Sequence, residues 1–503
     1  MPRVRWWVGC AVILSLFVGF FPAAAQTPAA PIVIGVLDSF TNLDPADSGD
    51  FPTWELLSHL HTGLSRYNPL TASYDLALAA SHSASTDGLT HTFTIRPEAA
   101  FNDGTPITAQ TFVDSITRVL TLRGRGAAII RPYVKAVAVT EAGALVFTLS
   151  APCPYFLGLV ALPPYAPLHP ASYAPQRLTP TPDTATLITN GLYRLVKRTA
   201  TELTLVPDPA WRGDLAARLP VTLRYYALPA DLREALLAGE IDLARRDVPG
   251  GADALNYTAV TEADPLARVY LIFSLKEEPY NDPAARTGVM HLIKREALTE
   301  GVISTTTLLP IQISAGLEMP TFPPYDLKAA EDVLKAANYS RYRQVSTELQ
   351  TASRLYGELY RRNSDILSSA LNGGQIVRLG RFETEPAVFL DQLQRGAFRL
   401  MLITWRPLVA HPDAYLRPLF AGDVAVAMGY TNPALQAALN TAALSTEPDV
   451  VKAAYEDVLR LALADAVVIP LWGQPETARL HTGITVEGAA LFPMLHYEMI
   501  RRP

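Results

Sequence analysis

Few groups in this 503-residue chain have the types and spacing to do chemistry together. Asp44, Asp47 and Asp50 recur at intervals of three and could gather around a cation. A calcium loop needs a turn-forming glycine and a closing glutamate at fixed offsets; neither follows, so a solvated loop is expected. His59 and His61 stand two apart, which on a helix turns the rings to different sides and makes no metal pair. The cysteines are Cys10 and Cys153, and the latter, held between Pro152 and Pro154, reads as a structural thiol. The G-x-S-x-G nucleophile elbow, H-E-x-x-H, the phosphate loop, paired C-x-x-C and G-x-G-x-x-G are all missing. These residues imply no catalytic centre, no metal site and no cofactor.

The rest of the composition narrows the class. Arg3 and Arg5 precede an apolar run over residues 8–21, and Ala23, Ala24 and Ala25 follow it, which is the pattern of an export signal over residues 1–25. The run is short for a membrane span. An extracytoplasmic or periplasmic destination is therefore expected. The 48 acidic residues against 42 lysines and arginines leave a formal charge of −6, which argues against nucleic acid or an anionic membrane as partner. The length exceeds what one hydrophobic core supports, so two or three domains are expected.

Residues 85–120 form the most legible unit. Asp87-Gly88 is a hairpin signal, and Thr92, Thr94 and Arg96 alternate with Phe93 and Ile95 as in a half-buried strand. A second turn falls at Asn102-Asp103-Gly104. Thr108 then caps a helix with Phe112, Ile116, Val119 and Leu120 on one face. Elsewhere apolar strands, at residues 32–36, 221–226, 269–274 and 398–405 among others, alternate with amphipathic helices such as 325–339. A long helix is expected over 351–371. The pattern is a mixed α/β protein.

The wording of residues 87–120, DGLTHTFTIRPEAAFNDGTPITAQTFVDSITRVL, resembles the signature of the family 5 extracellular solute-binding proteins, the oligopeptide-, dipeptide- and nickel-binding receptors of ABC importers. Leu43-Asp44-Pro45, Gly239-Glu240-Ile241-Asp242, YDLKAAEDVLKAANY at 325–339 and WRPLVAHPDAYLRPLF at 405–420 are similar to further segments of that family. The chain departs from it at His82, where a tryptophan is usual, at Thr189-Asn190, and at Gly288, which interrupts the helix at 282–302. The resemblance implies a bilobal α/β fold of the periplasmic-binding-protein type II, in its large three-domain variant. Lobe I would combine 31–49, 169–248 and 475–503; an extra domain would occupy 50–168 and lobe II 249–474. Hinges would lie near 248–263 and 471–477, and closure about them would bury a ligand.

The resemblance also places a site. The strand ending at Trp405 would face the cleft, and the acidic residue that peptide receptors place after this tryptophan is missing from 406–410. Arg406 would instead attract a carboxylate. His411 and Asp413 belong to the same loop. Trp54, Tyr193, Tyr270 and Phe273 could line an aromatic cleft, although taken singly each such residue more often packs a core. The implied function is capture of a small peptide-like or anionic solute by a monomer, which delivers it to an ABC permease and its ATPases without catalysis. A transport-uncoupled sensor or chaperone of the same fold, suggested by the interrupted helix, and a secreted hydrolase are the alternatives.

Overall fold

The computed structural model describes residues 30–40, 42–211, 218–245, 256–298, 302–314, 316–372, 374–488 and 494–502. The expected export signal and much of the first expected hinge lie outside them.

Three sheets organise the chain. The apolar strand Ile32–Val36 pairs in parallel with Val221–Tyr225 and Leu243–Ala244. Antiparallel strands extend this sheet to seven: Glu202–Pro207 and Tyr193–Arg198 on one side, Thr477–His481 and Tyr257–Thr261 on the other. A second, six-stranded sheet runs Ile303–Ser304, Val468–Gly473, Arg268–Phe273, Leu400–Trp405, Val345–Thr351, Val377–Glu383. Arg268–Phe273 is antiparallel to both its neighbours, so its first residue lies beside the carboxyl ends of Leu400–Trp405 and Val468–Gly473. In open α/β sheets that edge is where ligands are met.

The third sheet is an antiparallel set of four, Ala79–Ala84, Thr90–Ile95, Leu145–Leu149 and Val134–Val139. Helix Ala109–Leu122 backs it through Phe112, Ile116 and Val119, whose full burial contributes roughly 1.5–3 kcal/mol each. Thr108 and Thr111 close a capping box at the start of that helix, satisfying N–H groups the first turn would otherwise leave unpaired. This sheet falls within the range expected for an extra domain. Helix Phe51–Leu60 divides its allegiance: Trp54 enters the third sheet's core, while Leu56, Leu57 and Leu60 enter the first sheet's.

Three expectations change. Tyr257–Thr261, assigned with lobe II by a boundary at 249, is an edge strand of the first sheet, paired with Thr477–His481. The chain therefore crosses between sheets at residues 262–267 and returns at 474–476. The helix expected over 351–371 begins later: 351 ends a strand, and Gly357 at φ 91° separates Ser353–Tyr356 from Glu358–Leu371. The interruption at Gly288 is a packing feature. A Cβ there would fall 2.5 Å from Leu334 Cγ, so the glycine lets helix Pro283–His291 press against Leu327–Ala336.

Candidate functional site

The two crossings bring charges from four parts of the chain together beside Trp405. Arg406 follows the strand end and pairs through Nη2 with Glu476 Oε1 at 2.6 Å, its guanidinium 5.5 Å from the Phe51 ring. Glu476, in the return crossing, also lies 3.5 Å from Arg245 Nη1. Arg245 in turn holds Glu55 Oε2 from Nη2 at 3.1 Å and from Nε at 3.2 Å. An alternating ladder, Glu55–Arg245–Glu476–Arg406, thus runs from helix Phe51–Leu60, past the crossing, to the end of the second sheet.

The same edge concentrates polar atoms that find no hydrogen-bond partner among the described residues. They are Trp405 Nε1, Thr404 Oγ1, Gln474 Oε1, Arg268 Nε and Nη1, and Glu262 Oε2. Buried polar atoms are almost always paired, within the protein or through water. Arg268 faces Trp405 and Gly473 across the sheet, and its Nη2 bonds Asp264 at 2.5 Å. A Cβ on Gly473 would sit 2.6 Å from Arg268 Nη1, so glycine is what admits the guanidinium. Glu262 opens the first crossing, its N–H donating to Glu476 O at 3.0 Å and its Oε1 accepting from Leu266 N–H at 3.1 Å. Burial raises its carboxyl above the usual range. The Leu266 and Glu476 N–H groups and the Arg406 charge oppose that, although no hydrogen bond to Oε2 closes, and the Glu476 charge adds to it.

Most of the residues expected to line a cleft are elsewhere. Trp54, Tyr193, Tyr270 and Phe273 are at most 1% exposed and belong to cores. Tyr270 spends its hydroxyl on Leu308 O at 2.5 Å, Phe273 packs 4.7 Å from the Tyr280 ring, and Tyr193 meets His59 edge-on at 5.8 Å. Asp413 is fully buried and held by Arg417 Nε at 2.7 Å and Nη2 at 3.0 Å, which makes it a support for its loop. His411 caps helix Pro412–Phe420, accepting from Asp413 N–H at 3.1 Å, and burial pushes its ring down to about 4. Only Trp405 and Arg406 of that set lie at the edge of the second sheet beside the crossings, and Arg406 already has Glu476 as its carboxylate. Sequence reasoning missed Glu262, Arg268 and Glu476; the one signal that could have raised them is their place at segment junctions.

The loop after Trp405 is covered from the third sheet's side. Leu408, Val409 and Ala414 join the core of that sheet, and a Cβ on Gly158 would fall 2.4 Å from Val409 Cγ1. Two open cavities lie away from this loop. One, of about 840 Å³, overlies Glu348, Arg378 and Arg399 on the second sheet. The other, of about 890 Å³, opens between Tyr67, Phe101 and Trp211.

The remaining candidates are structural. Asp44, expected in a solvated loop, is fully buried; Arg118 grips its two oxygens at 2.9 and 2.6 Å, and the N–H groups of Ala46 and Thr179 bond it as well. His59 and His61 serve different partners, Glu498 at 3.2 Å and the Tyr173 hydroxyl at 2.9 Å. Cys153 is buried, and burial pushes its thiol well above the ordinary value. Among the described residues no three His, Cys, Asp or Glu side chains converge as a metal site.

Two sheets joined by a double crossing form the mixed α/β architecture of a periplasmic-binding-protein fold. The chain belongs to the bacterial extracellular solute-binding proteins, family 5 Middle, whose model matches residues 74–425. It is similar to the probable D,D-dipeptide-binding periplasmic protein DdpA of Escherichia coli, 25% identical over 96% of this chain and 95% of that protein. The periplasmic murein peptide-binding protein MppA of Escherichia coli is 24% identical over 92% of each chain. The solved unliganded open form of MppA superposes with a TM-score of 0.78 at 20% identity, covering 94% of this chain and 97% of that one. HbpA2 from Haemophilus parasuis superposes at 0.80 and 18% identity, covering 94% and 100%. Among the described residues no helix is long and apolar enough to cross a membrane.

Proposed function

We propose that this protein is the exported receptor of an ABC importer. It captures a small peptide-like solute in the crevice beside Trp405 and hands it, chemically unchanged, to a membrane permease driven by its ATPases. The reading takes the protein to act as a monomer outside the cytoplasm. Its two lobes are built on the first and second sheets, and the third sheet is the extra domain. The observation that carries the proposal is the group of unpartnered polar atoms at the edge where the chain passes twice between sheets. A hinge there brings those atoms against a bound solute and withdraws them from water, where their interactions strengthen. Relatives named for D,D-dipeptides and murein peptides support a peptide-like ligand. The test is mass spectrometry of small molecules released when the purified protein is denatured. A solute recovered intact, which on return raises the melting temperature, is expected. A solute consumed during incubation would point to an enzyme instead.

A further inference from the structure

The cavity of about 890 Å³ has the size of a small-molecule site and lies apart from the crevice: Glu262, Trp405, Arg406 and Glu476 take no part in its walls. Three turns build it, and each supplies one aromatic ring and one carboxylate. The hairpin of Ser65–Asn68 with Ser73–Leu76 brings Tyr67 and Asp75. The turn closed by Gly104 N–H on Phe101 O at 3.0 Å brings Phe101 and Asp103. The turn closed by Trp211 N–H on Asp208 O at 3.2 Å brings Trp211 and Asp208. Glu98 adds a fourth carboxylate. Against these acids stand two guanidiniums: Arg66 is paired with Glu498, and Arg96 donates from Nε to Ala77 O at 2.7 Å. Asp75 is bonded by Asn68 and Asp103 by Thr105, neutral groups of their own turns, with His169 Nε2 3.6 Å from Asp103. Asp208 is the most firmly placed. It is 3% exposed; its Oδ1 accepts from Ala210 N–H at 2.9 Å, with Arg194 Nε 3.9 Å away, and its Oδ2 makes no hydrogen bond among the described residues.

We propose that this cavity is a second binding site, separate from the crevice, and that it takes a small organic cation with a flat or aromatic body. Ring faces and carboxylates attract the same charge, and a partly enclosed wall weakens that attraction less than open water does. The rings receive the apolar body, and Asp208 receives the positive end. The assignment does not depend on the receptor reading, because a solute beside Trp405 and a cation beside Trp211 meet different residues.

The experiment is isothermal titration calorimetry of the purified protein, with co-purifying solute left in place. The probes are tryptamine, phenethylamine and benzyltrimethylammonium, with indole-3-acetate as an anion on the indole ring of tryptamine. At least one of the cations is expected to bind at least about tenfold more tightly than indole-3-acetate. Trp211→Ala and Asp208→Asn should each weaken that cation at least about fivefold, whereas Arg406→Ala should leave it within about twofold. Melting checks that the variants fold. Where Trp211→Ala or Asp208→Asn melts about 4 °C or more below the parent, Glu98→Gln, on an exposed side chain, carries the test with a weakening of about threefold. Binding of none of the three cations, equally tight binding of indole-3-acetate, unchanged affinity in the folded variants, or release of the co-purifying solute by the cation overturns the assignment. The receptor reading fails separately, and only if no small solute accompanies or stabilises the unmodified protein.

Discussion

Glu498 and Glu262 are both buried glutamates beside the first sheet, and the protein treats them in opposite ways. Glu498 is bonded on both oxygens: His59 reaches Oε2 at 3.2 Å, while His496 at 3.3 Å and Arg66 meet Oε1. Burial alone would raise its carboxyl, but the hydrogen bonds from His496 and His59 and the Arg66 charge hold it well below the ordinary 4.5. Glu262 has one oxygen bonded, and burial dominates, raising it. The difference separates two uses of a buried acid. Glu498 ties the C-terminal segment to helix Phe51–Leu60, and Glu262 keeps one oxygen without a hydrogen bond among the described residues.

The largest expected effect falls on the satisfied acid. Glu498→Ala strands His59 and Arg66 and should cost about 3–5 kcal/mol in urea denaturation. A loss below about 1 kcal/mol would erase the contrast with Glu262. Next in size, Gly158→Val drives a side chain into Val409 and should cost about 1–3 kcal/mol of folding stability. It should also weaken solute binding without touching the crevice, whereas unchanged binding would show that the loop after Trp405 need not dock on the third sheet. Glu262→Gln should leave the solute-free protein as stable as before or up to about 2 kcal/mol more stable, by the same denaturation.

The smallest and most discriminating effect is in pH. Below its ordinary 4.5 Glu262 is protonated folded or unfolded; as pH rises through 4.5 to its raised folded value, the folded state must give up a proton it favours, so stability falls. The groups facing it are Arg406, Glu476 and the Leu266 and Glu476 N–H groups. Glu498 runs the other way: its stabilisation is present above 4.5 and is lost as pH falls toward its depressed value. Stability differences between parent and Glu262→Gln, and between parent and Glu498→Gln, should therefore slope oppositely with pH. Parallel slopes would mean the two acids sit in equivalent environments.

What was legible in the sequence was local. Thr108 and Phe112 announce a capped amphipathic helix within a few residues, Asp326 caps Leu327–Ala336, and the wording of residues 87–120 pointed to the family. The site was only half legible. Trp405 and Arg406 could be placed at a strand end, but an aromatic residue in a strand looks the same whether it faces a core or a cleft, as Tyr270 and Phe273 do. The charge balance was hidden because it is assembled across the fold. Arg118 neutralises Asp44 from 74 residues away, and Glu55 meets Arg245 from 190. Tyr257–Thr261 misled the lobe boundary because a short, mostly exposed edge strand carries no strong apolar pattern.

Small-angle scattering on the purified protein, stripped of solute and then given back whatever co-purified with it, tests solute capture most directly. The radius of gyration should fall on return of the solute, with the solute recovered unaltered. An unchanged radius with the solute bound, or a solute converted to product, would contradict it.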